Sequence, residues 1–69
     1  MEELEALLEY LVKHNDDHAA EIEDLADRAK QLGNPEAYEQ LTHGVELLRE
    51  SNQWLRSALR MLEGSHVSR

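Results

Sequence analysis

One interruption sits between two long heptad patterns, and that arrangement constrains the fold most. In the first half, Leu4, Leu8, Leu11, Asn15, His18, Ile22, Leu25, Ala29 and Leu32 recur at alternating spacings of four and three. In the second, Tyr38, Leu41, Val45, Leu48, Asn52, Leu55, Leu59 and Leu62 do the same. Such a period marks one face of an α-helix that packs along its length on another. Gly33-Asn34-Pro35 is the only strong breaker between the patterns. Glycine suits the residue just past a helix end, asparagine a helix N-cap, and proline the first helical position. The reading is all-α: helices over about 2–32 and 35–63, joined by a tight turn into an antiparallel αα-hairpin. Residues 1–64 form the hairpin, and 65–69, after Gly64, form a flexible tail.

Folding the chain about residues 33 and 34 pairs positions whose numbers sum to about 67. Leu8 then lies near Leu59, Leu11 near Leu55, and Ile22 near Val45. The polar exceptions in the seams meet as well. Asn15 comes to Asn52, with His18 one layer on, near Leu48. A buried polar layer of Asn15, His18 and Asn52 is expected, and a buried asparagine pair is a known device for fixing register.

At 69 residues without cysteine, the chain has a stability problem. A chain this short buries only about 60% of its unfolded surface. Small domains add a disulfide, a metal or a second copy, and here only the last two remain. The second helix offers a further stripe: Leu47, Trp54 and Met61, seven apart, beside the small residues Ala37, Gly44, Ser51 and Ala58. Large residues beside a small-residue groove suit close helix packing. The expectation is a homodimer, a four-helix bundle closed through helix two by Leu47, Trp54, Met61, Gly44, Ser51 and Ala58. Leu7, Val12, Ala19 and Ala26 flank the seam of helix one.

Charge separates the two halves. The net charge is −8. Residues 1–31 hold ten acids and three bases, for −7, and the rest hold five acids and four arginines, for −1. An acidic chain is repelled by nucleic-acid phosphates and anionic lipid, so neither is expected as a partner. No apolar run reaches the roughly 18 residues of a membrane span. With no signal peptide in view, the expected address is the cytoplasm.

The segment His14-Asn15-Asp16-Asp17-His18-Ala19-Ala20-Glu21 is the one candidate site. Histidines at i and i+4 project from one helix face, a chelating spacing for zinc, nickel, copper or cobalt. Asp17 or Glu21, about a turn away, could add an oxygen ligand. The alternative is structural: His18 on the seam simply bonds to Asn15 or Asn52. A di-iron bundle site needs inward glutamates, which the seam lacks. The HExxH pattern and Gly-rich phosphate loops are absent, and His43 falls on the outer face. No catalytic residues are assigned, no cofactor is required, and the expected function is a non-catalytic interaction module.

Residues 7–20, with the stretch from Glu50 to Leu55, resemble a family of small prokaryotic helical-hairpin proteins. That family carries an HNxxH signature on its first helix and an asparagine before a leucine-rich end on its second. His14, Asn15 and His18 match the signature, and Asn52 matches the second asparagine. The resemblance covers about residues 4–62. It implies an all-α hairpin and a loose link to nickel or cobalt handling.

Overall fold

The computed structural model describes residues 2–67. Helix α1 runs Glu2–Gln31 and helix α2 runs Pro35–Val67. They lie side by side in a slender hairpin of 56 × 15 × 12 Å. The heptad seams account for this shape: each helix turns one stripe toward the other, which the three-residue turn sets beside it.

The turn forms as its residue types require. Gly33 adopts φ 79°, a left-handed conformation open to glycine without steric cost. Its N–H donates to the Lys30 carbonyl at 3.0 Å, and the Asn34 N–H donates to the Ala29 carbonyl at 3.0 Å. These two bonds satisfy carbonyls that the end of α1 leaves free, in the Schellman arrangement. Asn34 then caps α2: its side-chain oxygen accepts from the Ala37 N–H at 3.1 Å. The second helix continues past Gly64 to Val67 and takes in the first three residues of the expected tail. Lacking a cap or proline there, the chain has no local reason to stop. Ser68 and Arg69 lie outside the described residues.

The seam of α2 is the expected one. Val45, Asn52 and Leu59 are buried, and Tyr38, Leu41, Leu48, Leu55 and Leu62 are half-buried. The seam of α1 differs from expectation by one heptad row. Leu8, Asn15, Ile22 and Ala29 face inward as expected. Their companions are Val12, Ala19 and Ala26, all buried, instead of Leu11, His18 and Leu25. The two rows lie side by side on the helix, and two helices bury only one of them. Turning the small row inward lets the backbones approach closely. It also swings Asp16 and Glu23 to within 2.6 Å of Arg56 and Arg49.

Candidate functional site

The rotation of α1 gives the hairpin two unlike broad faces. Heptad positions beside the seam on one side are Asp16 and Glu23 of α1 and Arg49 and Arg56 of α2. Arg49 grips Glu23 with two parallel bonds, at 2.6 and 2.9 Å. Arg56 donates to Asp16 at 2.6 Å. The bidentate Arg49 guanidinium holds the Glu23 carboxyl below its ordinary value, and Glu23 raises that of Arg49 in return. A groove of about 430 Å³ runs here between Glu23, Ala26, Tyr38, Val45 and Arg49. Sequence reasoning missed these pairs. Their signal was present, since both acids and both arginines are spaced by seven.

Between the faces lies the polar layer. Asn52 is 2% exposed and fully engaged. Its amide donates to the Val12 carbonyl at 3.0 Å and to Asp16 Oδ1 at 2.9 Å. Its oxygen accepts from Asn15 Nδ2 at 3.1 Å. The expected Asn15–Asn52 contact is therefore present, and Asp16 joins it. His18 does not belong to the layer: its side chain is half exposed, because the row it occupies turns outward.

The opposite face carries that outward row. Leu4, Leu11 and Leu25 are 42% to 50% exposed, and Leu7 beside them is more exposed still. On α2 the same side presents Leu47, Trp54 and Met61, which are 54% to 75% exposed, next to the exposed Gly44, Ser51 and Ala58. The six residues expected to form an interface thus share one open face. The leucines of α1, expected in the seam, extend it across the whole width of the hairpin. That exposure is unusual for a small soluble chain.

His14 and His18 meet at the edge of this face. Their Nε2 atoms are 2.8 Å apart. Tyr10 stacks on the His14 ring, with centroids 5.5 Å apart. Glu21 Oε1 lies 3.2 Å from His18 Nδ1. A carboxylate on Nδ1 favours the tautomer with hydrogen there and leaves the His18 Nε2 lone pair free to accept from His14 or to bind a metal. Glu21 therefore sits behind the imidazole, as a group that orients the ring, and not beside the two nitrogens as the ligand first expected. Asp17 is exposed and makes no third member. Among the described residues, no three His, Asp or Glu side chains converge within one chain to hold a metal. His43 is exposed on the outer face of α2, 3.8 Å from Glu46. No helix among the described residues is long and apolar enough to cross a membrane.

These features define an all-α antiparallel hairpin with one ion-paired face, one bare apolar face and a histidine pair at its edge. The chain belongs to the family described as a domain of unknown function, DUF8180, whose model matches residues 4–62. No curated protein and no solved structure matches it.

Proposed function

We propose that this protein is a non-catalytic, self-associating interaction module whose apolar face is covered by a second copy, giving a four-helix bundle. One observation carries the reading: Leu4, Leu7, Leu11, Leu25, Leu47, Trp54 and Met61 stand exposed together on one side of a two-helix protein. Two helices of this length bury little apolar area alone, and a second pair doubles the core. A face of 56 × 15 Å offers on the order of 800 Å² per copy, the size of a standard stable interface. The partner is a second copy, because the face sets large residues beside small ones and so complements itself. The proposed address is the cytoplasm, where a chain without cysteine loses nothing to a reducing environment. Association makes the melting temperature rise with protein concentration. A melting temperature independent of concentration from micromolar to millimolar contradicts the reading.

The histidine pair favours a second reading, that of a transition-metal binder. Two imidazole nitrogens on one ion, each about 2.0 to 2.1 Å from it, stand roughly 2.9 to 3.4 Å apart. The observed 2.8 Å needs little adjustment, and Glu21 already orients one ring. Calorimetry with zinc and nickel checks it. Binding tighter than millimolar that vanishes in the His14→Ala/His18→Ala variant supports the reading. Binding unchanged in that variant contradicts it.

A further inference from the structure

The two readings above share a geometry. We propose that two copies pack antiparallel across the apolar face, on a two-fold axis level with the Asn15–Asn52 layer, and that their His14/His18 pairs there share one divalent transition-metal ion. The inference rests on self-association and names what the interface holds.

The axis is set by α2. Gly44, Leu47, Ser51, Trp54, Ala58 and Met61 are symmetric about the midpoint between Asn52 and Gln53. Antiparallel packing about that midpoint sets Trp54 against the partner's Ser51, Leu47 against the partner's Ala58, and Met61 against the partner's Gly44. Every large residue then meets a small one, as close helix packing requires. A Cβ built on Gly44 would have nothing within 4 Å, so there is room for the Met61 side chain of another copy.

The same axis places α1. Asn52 is bonded to Asn15, so the two-fold crosses α1 at the level of residues 14 and 15. Leu4 then meets the partner's Leu25. His14 stands level with the partner's His14. Helical side chains lean toward the N-terminus, so the His18 ring reaches back over the turn that carries His14. The 2.8 Å between their Nε2 atoms records this convergence. Both pairs therefore lie beside the axis, where four imidazoles can surround one ion in the tetrahedral set that zinc prefers.

Electrostatics point the same way. Two α1 helices, each with a net charge of −7 over residues 1–31, repel when set side by side. A divalent cation between them offsets part of that repulsion. Antiparallel pairing also brings the acidic first turn, Glu2, Glu3 and Glu5, near the partner's Arg28 in the basic last turn.

The test is zinc titration of the full chain, read by native mass spectrometry and calorimetry, with EDTA-treated protein as the reference. The expected result is a dimer in EDTA that takes up one zinc per two chains at micromolar or tighter affinity. His14→Ala/His18→Ala should lose the ion and stay dimeric in EDTA, since both side chains are exposed and alanine favours helix. Trp54→Glu should be monomeric and bind zinc at least about 100-fold more weakly, having only two imidazoles per molecule. One zinc per chain in an intact dimer, or no binding tighter than millimolar, overturns the shared site and leaves self-association standing. A monomer under every condition overturns both.

Discussion

The two broad faces of the hairpin are built from equivalent heptad positions, yet they do opposite things. On one, Asp16 and Glu23 reach across to Arg56 and Arg49, so two ion pairs link the helices within the molecule. On the other, Leu4, Leu11 and Leu25 run on the same side as Gly44, Ser51 and Ala58 and stay about half exposed. Charges that pair across the helices are satisfied within the hairpin. Leucines and a tryptophan left in solvent are the ground on which we propose that a second copy covers this face.

The contrast can be broken from either side. The largest effect should come from the apolar face. Trp54→Glu places a charge in the middle of the interface, and aromatic residues at such centres carry at least about 2 kcal/mol each. Sedimentation velocity should show the dimer gone at concentrations where the parent is fully associated, and circular dichroism should show lower helix stability. Next comes the inward row of α1. Ala19→Leu adds three carbons where the helices touch most closely and should cost about 1 to 3 kcal/mol in urea unfolding. Had Leu11, His18 and Leu25 faced inward, the same substitution at the flank would be close to neutral. Asn52→Ala should cost about 1.5 kcal/mol, because the partners it leaves can reach water only in part.

The smallest effect belongs to the ion-paired face. Glu23 and Arg49 are each about half exposed, so solvent screens their pairing. The sign follows from Glu23, whose folded value lies below its ordinary 4.5. Its contribution is present above pH 4.5 and is lost as pH falls through the folded value. Glu23→Gln should therefore lower the melting temperature slightly at pH 7 and make no difference near pH 2.

Much of this could be read from the residues. Gly33, Asn34 and Pro35 specify their own conformations locally, so the turn and both helices were legible. The α2 seam was legible because two adjacent heptad rows, Tyr38/Val45/Asn52/Leu59 and Leu41/Leu48/Leu55/Leu62, together form one continuous stripe. The rotation of α1 was not. Its Leu11/His18/Leu25 row is the bulkier, and a reading by side-chain size buries it. The helix instead buries Val12, Ala19 and Ala26, a choice made by close backbone approach and by two arginines on the other helix. The same rotation removed His18 from the polar layer and left it beside His14 at the surface. His14 and His18 were found by spacing alone, whereas the role of Glu21 behind the ring needed coordinates.

We propose that the bare face is an interface between copies of this chain. Sedimentation equilibrium of the metal-free protein at micromolar concentration tests it most directly. The expected mass is twice that of the 8.0 kDa chain. A single-chain mass, with the helices still folded by circular dichroism, would contradict it.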